Sequence, residues 1–235
     1  MDNQQLGLSN EQLQVIVSGK FGDGCLALPT KDGVDYKYTT NCKYREYLEF
    51  KKELLGDLCA NNNIGHKDHN GYSQTEIYCL QSKKDSRLTY LRNLNIEESL
   101  DLLDDLGIAM WIYDDGSLHK DKLFYNINTQ AFDRDIQEEL FVPFFNKFNI
   151  FPKVTIERKK DGREFWYLRI SKYEGSYEIS NILGKYPIEC YNYKRWSSET
   201  IQRWSKLLEE LKSTGITIKD LSSHALSRMM KKIVI

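Results

Sequence analysis

The sequence predicts an α/β protein of the α+β type, built from two similar halves. Two observations support this prediction. An apolar, helix-like stretch ends in Asp-Gly twice, at Asp23-Gly24 and Asp115-Gly116, 92 positions apart (23 to 115). A dipeptide typical of two-residue hairpins follows each end, and the glycines of Asn70-Gly71 and Asp161-Gly162 lie 48 and 47 positions after the two aspartates. The repeat predicts that each half runs helix, hairpin, helix, hairpin, helix.

In the first half, Ser9 and Gln12 have the spacing of a capping box and predict the start of the first helix. Apolar residues then continue to Gly22, with Ser18 and Gly22 small enough to let another backbone approach. Alternating and helical apolar patterns predict the remaining elements. These are strands over Cys25–Leu28 and Tyr36–Asn41 around Lys31-Asp32-Gly33, a helix over Tyr44–Cys59, and hairpin strands over Ile64–His69 and Ser73–Leu80.

The second half repeats this order after the apolar stretch Leu106 to Asp114. Pro143 lies inside its second helix and is expected to kink that helix. Its remaining elements are predicted as strands over Ser117–Leu118 and Leu123–Thr129, a helix from Asp133, and hairpin strands over Lys153–Lys159 and Glu164–Ile170. A tail follows as two helices, Glu199–Lys212 and Lys219–Lys232, broken at Thr214-Gly215. The expected domains are a first half at 1–84, a linker at 85–101, a second half at 102–196 and a helical extension at 197–235.

Composition narrows the class of protein. Of the 235 residues, 40% are apolar, which is enough for a substantial core. No apolar run approaches the ~18 to 20 residues of a membrane span, and the polar start does not resemble a signal peptide, so an intracellular location is expected, in a bacterial or phage cytoplasm or an organelle matrix. The five cysteines form no CxxC pair, which favours reduced, packed thiols. A net charge of -1 excludes a basic footprint over the whole protein, so any DNA-binding surface must be local.

The two Asp-Gly helix ends suggest chemistry. A single Asp-Gly end is most simply a turn, but two ends at matching places of a repeat are less easily explained in that way. An aspartate at a helix C-terminus faces the negative end of the helix dipole, and a bound cation could offset that cost. If the two helices pack side by side on a pseudo-dyad, Asp23 and Asp115 emerge together. Two close carboxylates repel each other unless a hard cation such as Mg²⁺ lies between them.

Four segments carry a resemblance to a known family. Residues Ser18 to Gly24 resemble a Gly-Asp-Gly form of the LAGLIDADG signature, and Ala109 to Leu118 resemble its Trp-containing Asp-Asp-Gly form. Asn128 to Phe132 resemble a segment found after the second signature, and Tyr193-Lys194 resembles a late tyrosine-lysine pair. The chain is therefore similar to single-chain LAGLIDADG homing endonucleases over residues 9–196. Lys20 departs from the small or apolar residues that the family prefers, and would be costly in a buried helix unless it reached solvent or a phosphate.

The resemblance implies a monomer of two αββαββα halves whose antiparallel sheets form a saddle over double-stranded DNA with a long target site, and metal-dependent cleavage across the minor groove. It implies that Asp23 and Asp115 bind Mg²⁺ or Mn²⁺, with Gly22 and Asp114 beside them in the metal site. It makes Lys194 an active-site base or electrostatic stabiliser. The first-half counterpart of Lys194 is left open among Lys83, Lys84 and Arg92, with Lys84 ranked first. Gln130 is expected either to position a water or phosphate or to make a structural hydrogen bond.

Sequence reading by such a fold requires polar and basic side chains on one face of the hairpins. The second hairpin shows six basic residues among aromatic ones and only three acids. The predicted DNA-binding residues are Lys153, Arg158, Lys159, Lys160, Arg163 and Arg169 in the second half, and Lys31, Lys37, Lys43, Arg45, His66, Lys67 and His69 in the first. The pair His66 and His69 could suggest zinc, but no further ligand is near in the sequence, so a metal role is disfavoured.

Three functions are consistent with these patterns. The first is a site-specific double-stranded DNA endonuclease spread by an intron or an intein-like mobile element. The second is a non-cleaving nucleic-acid-binding protein on the same scaffold, such as an RNA maturase or a regulator. The third is an unrelated soluble enzyme whose Asp-Gly ends are only turns. An acid at both positions favours the first over the second.

Overall fold

A computed structural model describes residues 7–28, 34–59, 61–67, 76–119, 123–221 and 223–230. It contains two four-stranded antiparallel sheets, and helices accompany each sheet. The predicted α+β class is therefore confirmed. The predicted turns at Lys31-Asp32-Gly33 and Asn70-Gly71 lie outside the described residues.

The first half begins at a capped helix. The Ser9 hydroxyl accepts the Gln12 N–H and the Gln12 side chain accepts the Ser9 N–H, so the predicted capping box is present. Its strands form a sheet in the order β1-β2-β4-β3. The elements are α1 (Asn10–Gly19), β1 (Gly24–Ala27), β2 (Lys37–Cys42), α2 (Arg45–Leu55), β3 (Gly65–Lys67), β4 (Ile77–Gln81), α3 (Ser86–Asn93) and α4 (Ile96–Asp101).

The second half repeats this order, and its sheet has the matching order β5-β6-β8-β7. The elements are α5 (Asp105–Asp115), β5 (Gly116–His119), β6 (Phe124–Ile127), α6 (Arg134–Ile136), α7 (Val142–Asn146), β7 (Lys153–Arg158), β8 (Glu164–Ile170) and α8 (Tyr173–Lys185). The same sheet order in both halves confirms that the Asp-Gly repeat reflects a duplicated fold.

The backbone departs from regular helix just before Pro143. Residues Gln137–Phe141 form a π-helical turn, and Pro143 then lies in the first turn of α7. Proline has no N–H to donate, and the first turn of a helix is where that loss is least costly. The helix is therefore irregular at the π-helical turn before Pro143, and Pro143 itself lies where a helix tolerates proline.

Helices α1 and α5 pack against each other at the centre of the molecule. Residues 12–19 of α1 and 106–113 of α5 are all buried, including the polar Gln12, Gln14 and Ser18 among the mostly apolar residues of α1. Just beyond α1, the Phe21 ring stacks on Trp111 with centroids 4.8 Å apart. This packing brings the C-terminal ends of the two helices to the same region of the molecule.

After α8 the chain forms a 3₁₀ turn (Glu189–Lys194), helix α9 (Ser198–Ser213), a second 3₁₀ turn (Ile218–Asp220) and helix α10 (Ser223–Met230). Gly215 has a φ of +72°, which suits glycine at a helix end. Trp204 of α9 is fully buried and contacts the rings of Trp196 and Tyr177, so the tail packs on the second half. In the described part of the chain, every helix is too short or too polar to cross a membrane.

Candidate active site

The two Asp-Gly ends begin the two sheets. Asp23 follows the turn after α1 and precedes Gly24, the first residue of β1, while Asp115 ends α5 and precedes Gly116, the first residue of β5. Gly24 is required by close packing, because a Cβ there would lie 2.7 Å from the Cα of Gly19 and 2.6 Å from the Tyr38 ring. Each aspartate therefore sits where a buried helix turns sharply into a strand.

Both halves line one cavity of about 410 Å³ beside these ends. The second half contributes a buried lysine, two tyrosines and an aspartate to it. The lining residues are Asp23, Asn41, Cys42, Lys43 and Ile77 from the first half and Asp114, Tyr191, Tyr193 and Lys194 from the second. The packing of α1 on α5 thus places acidic and basic groups from distant parts of the sequence around one space.

Burial and neighbouring carboxylates raise the pKa values of Asp23 and Asp115. The pKa of Asp115 rises from 3.8 to about 7, mainly through burial and then through the charges of Asp23 and Asp114. Desolvation and the Asp114 charge also raise the pKa of Asp23. Lys194 and Lys51 oppose both shifts but do not cancel them. These two carboxylates therefore lie in a partly desolvated site, where their negative charge is costly.

Lys194 is buried at the C-terminus of α5. Its Nζ donates to the carbonyl oxygens of Tyr113 at 2.6 Å and Ile112 at 3.3 Å, at the negative end of the helix dipole. Burial nevertheless lowers the pKa of Lys194 to about 8, against the raising effect of the three nearby aspartates. The pKa of Lys194 thus lies close to neutral pH, and its charge interacts with those of Asp23, Asp114 and Asp115.

The carboxylate of Asp114 is fully occupied by protein donors. Lys51 Nζ lies 2.9 Å from Oδ1 and 3.0 Å from Oδ2, and the Tyr47 hydroxyl donates to Oδ1 at 2.7 Å. The backbone N–H of Asp23 donates to Oδ2 at 3.2 Å. The sequence predictions had omitted Lys51 and Tyr47. The signal was a lysine on the apolar face of a helix, since Lys51 lies four residues from both Tyr47 and Leu55, which are buried.

The structure places Lys84 away from these groups. Asp85, the next residue, pairs with Tyr36 just before β2, whereas Gly24 pairs with Thr40 near the other end of that strand. At about 3.3 Å per residue the two points are roughly 13 Å apart along β2. Lys43, which directly follows β2, lines the cavity instead.

Gln130 is exposed in the turn after β6 and is not among the residues that line the cavity. The buried amide nearby belongs to Gln137, whose Nε2 donates to the carbonyl oxygens of Thr129 at 3.0 Å and Phe132 at 2.9 Å. Gln137 therefore makes the structural hydrogen bonds of this turn.

Lys20 is half-buried directly after α1, and protein acceptors hold its ammonium. Its Nζ donates to the carbonyl oxygens of Leu91 and Leu94 and to the Ser99 hydroxyl, at 2.8 to 3.0 Å. Burial and the charge of Arg92 lower its pKa. Lys20 therefore joins α1 to the end of α3.

Most of the basic residues predicted to bind DNA have partners on their own half. On the second hairpin, Arg158 pairs with Glu164, Lys159 with Glu157 and Arg163 with Asp161, at 2.6 to 2.8 Å. Lys153 and Lys160 are exposed there. In the first half, Lys37 donates to Gln81, Arg45 pairs with Glu49, and exposed His66 lies 3.7 Å from Glu76. Lys67 is described only as a backbone position of β3, and Lys31 and His69 lie outside the described residues.

Arg169 is the most firmly positioned of these cations. Its guanidinium lies 5.0 Å from the Phe124 ring and 5.5 Å from the Tyr167 ring, and Nε donates to Asn126 Oδ1 at 3.1 Å. These partners lie on the opposite face of the sheet from buried Leu168 and Ile170. This face presents an ordered cation among aromatic rings.

The donor set of the cavity suits a hard divalent cation. The carboxylates of Asp23 and Asp115 could serve as oxygen ligands, and a cation there would offset the Asp23 charge that raises the pKa of Asp115. The main-chain carbonyls of Gly22 and Asp114 are further oxygens at the same turns. Within the described ranges, no cluster of three or more His, Cys, Asp or Glu side chains has the geometry of a metal site. Two carboxylates, with water and a substrate phosphate completing the shell, is the pattern expected of Mg²⁺ rather than of a closed protein cage.

Comparison with known proteins agrees with this architecture. The sequence profile of the LAGLIDADG DNA endonuclease family matches residues 14–176, and the chain belongs to that family. Protein RecA of Mycolicibacterium flavescens is 31% identical over 115 residues, which is 47% of this chain and 27% of that protein. Protein RecA of Mycobacterium leprae (strain TN) is 34% identical over 119 residues, 47% of this chain and 16% of that protein. The chain thus matches only about a quarter or less of these relatives' length.

Solved structures show the same fold. The homing endonuclease I-WcaI, bound to its DNA recognition sequence, has a TM-score of 0.63 and 18% identity, covering 80% of this chain and 87% of that one. Mesophilic variants of the homing endonuclease I-DmoI have a TM-score of 0.52 and 16% identity, covering 74% and 96%. The two-half, two-sheet architecture is therefore that of single-chain LAGLIDADG homing endonucleases.

Proposed function

We propose that this protein is a site-specific double-stranded DNA homing endonuclease, which hydrolyses phosphodiester bonds with a divalent metal held by Asp23 and Asp115. The observation that carries the proposal is the cavity at the paired helix ends. It brings Asp23, whose pKa is raised by burial and by the Asp114 charge, together with Lys43 and Lys194. Asp115 follows the lining residue Asp114 directly, and burial and the Asp23 charge raise its pKa. Family membership supports a DNA substrate, and the I-WcaI complex shows that a protein of this fold binds a DNA recognition sequence.

Each part of the site has a role in this proposal. When bound, a divalent metal supplies an activated water and stabilises the charge on the leaving oxygen. Asp23 and Asp115 hold it from the two halves. Lys194 and Lys43 face the same space and stabilise the negative charge that develops on the phosphate. Lys194, whose pKa is about 8 in the metal-free protein, can also donate a proton to the leaving oxygen.

The proposed DNA surface is the sheet face opposite the core, together with the basic hairpin Lys153 to Arg169. The net charge of -1 and the local ion pairs on that hairpin make the surface less basic than its lysine and arginine content suggests. This observation keeps a second function in view, a non-cleaving nucleic-acid-binding protein on the same scaffold.

The decisive experiment incubates purified protein with a plasmid library of randomised sites in buffers with Mg²⁺, Mn²⁺ or EDTA. Wild type is expected to cut a defined site with either metal, and Asp23→Asn and Asp115→Asn to bind that site without cutting. The matched control is Asp101→Asn, which removes an exposed carboxylate paired with Lys147 and should leave cleavage unchanged. Binding without cutting by wild type would favour the non-cleaving alternative, and cutting by both site variants would refute the metal assignment.

A further inference from the structure

A buried carboxylate of the second half is held by groups of the first half. Asp114 belongs to α5 of the second half, yet its acceptors are used by Lys51, Tyr47 and the Asp23 N–H of the first half. Neither the Lys51 nor the Asp114 side chain has any exposed surface. Lys51 therefore cannot reach a DNA phosphate, and the Asp114 oxygens are already hydrogen-bonded within the protein.

The pair also accounts for the local charge. An isolated Asp114 would be a buried and uncompensated anion beside two others, which is strongly destabilising. Lys51 neutralises it in a bidentate contact and lies 4.4 Å from the centre of the Tyr47 ring. The charge left to attract a cation is then that of Asp23 and Asp115, opposed by Lys194.

The repeat is broken at this position. Asp114 precedes Asp115, and its counterpart before Asp23 is Gly22. A Cβ on Gly22 would lie 2.7 Å from both the Cβ and the Oδ2 of Asp114, so the Asp114 side chain occupies the space that a side chain at 22 would need. Only one half can carry a carboxylate here. As a result, the Asp23 N–H has a side-chain acceptor from the other half, Asp114 Oδ2. Gly22 has no side chain that could do the same for Asp115.

We propose that Asp114 is a positioning residue which, held by Lys51, fixes the backbone of Asp23 across the pseudo-dyad. Cleavage of one DNA strand then depends on Asp114 more than cleavage of the other. The inference rests on the proposed function. Loss of the contacts between Lys51, Asp114 and the Asp23 N–H loosens the turn that carries Asp23. The end of α5, which carries Asp115, is still capped by Lys194. Cleavage of the DNA strand that depends more on Asp23 then slows more than cleavage of the other strand. A nicked product accumulates.

The test uses variants that leave no buried charge alone. The double variant Lys51→Met with Asp114→Ala removes both the ion pair and the acceptor for the Asp23 N–H. Lys51→Met with Asp114→Asn keeps a neutral acceptor for the Asp23 N–H. The control is Lys185→Met, which breaks the ion pair with Asp105 at the opposite end of the same helix. Thermal unfolding confirms that each variant is folded.

Two measurements decide the inference. Residue-resolved amide hydrogen exchange, without DNA or metal, should show about tenfold faster exchange at Asp23 in the alanine variant, partial recovery in the asparagine variant and no change in the control. On the library plasmid that the wild-type protein cuts, the alanine variant should accumulate nicked circles. Cleavage of one strand should be slowed roughly tenfold more than cleavage of the other. Unchanged exchange at Asp23, or equal slowing of both strands, would overturn the inference. A wild type that cuts no DNA refutes the proposed function instead, and the exchange result then decides the positioning role by itself.

Discussion

At the scale of single residues, the raised pKa of Asp115 makes the metal-free protein sensitive to pH. Its folded-state pKa of about 7 exceeds the ordinary 3.8, so the folded state keeps a proton that the unfolded state loses. Stability from this group is fully present below pH 4 and is lost as pH rises through 7. Function is therefore expected to oppose stability at this residue.

Asp115→Asn should accordingly stabilise the metal-free protein at pH 8, by about 1 to 2 kcal/mol after allowance for partial solvent screening. The gain should disappear at pH 4, where wild-type Asp115 is protonated in the folded protein. Urea unfolding at both pH values measures it. Adding Mg²⁺ should stabilise wild type more than the variant, because a ligand that binds only the folded state raises its stability. A variant less stable than wild type at pH 8 without metal would contradict the assignment.

Lys194 supplies a second prediction at the residue scale. Lys194→Met should lower the cleavage rate by about 10²-fold and leave DNA affinity nearly unchanged, because its buried amine acts on the developing charge rather than on the bound duplex. Wild-type cleavage should fall at alkaline pH, where Lys194 loses its proton, and the residual activity of the variant should lack that fall. Single-turnover rates from pH 6 to 10 test both points. A variant with the wild-type pH profile would remove Lys194 from the proposed chemistry.

At the scale of elements, the sequence predicts much of the fold and only part of the site. The Asp-Gly ends and the capping box at Ser9 are local signals, and each was confirmed because its cause lies within a few residues. The hairpin at Asp161-Gly162 is also present, but the two-residue loop predicted for it was wrong: residues 160–162 form a three-residue loop closed between Lys159 and Arg163, with Gly162 at a φ of +84°. Lys51 was assigned no active-site role because its partner Asp114 comes from the other half, 63 positions away. Lys43 was assigned to DNA binding alone, and the cavity it lines is formed by both halves. Only the packing of α1 against α5 brings those groups together.

The close approach of these helix ends predicts opposite effects of the same substitution at two glycines. Gly22→Ala should destabilise the protein by about 1 to 3 kcal/mol, because its Cβ would overlap Asp114. Gly184→Ala is the matched control, since nothing lies within 4 Å of a Cβ at that exposed position of α8. There the alanine should stabilise by about 0.5 to 1 kcal/mol through helix propensity. Denaturant unfolding of both variants gives the comparison, and equal effects would argue against the tight contact at Gly22.

At the scale of the whole molecule, the charge of the chain is arranged locally. A net charge of -1 gives little long-range attraction to DNA, and the basic hairpin carries its own acids. Affinity is therefore expected to depend on shape and on particular side chains such as Arg169 more than on the total charge. A protein arranged in this way should bind non-specific DNA weakly, which favours discrimination of a long site.

This arrangement can be tested by releasing the hairpin cations. The triple variant Glu157→Gln, Asp161→Asn, Glu164→Gln removes the acids paired with Lys159, Arg163 and Arg158 and leaves the strands intact. Freed cations can then contact phosphates, so non-specific DNA affinity should rise and the slope of log K against log salt should steepen by about 1 to 3. Titrations of an unrelated duplex at several salt concentrations measure both. The matched control is Glu199→Gln, which removes the acid that pairs with Arg203 on α9, and should leave the slope unchanged if the hairpin, and not the tail, contacts the duplex. An unchanged slope in the triple variant would move the DNA surface away from this hairpin.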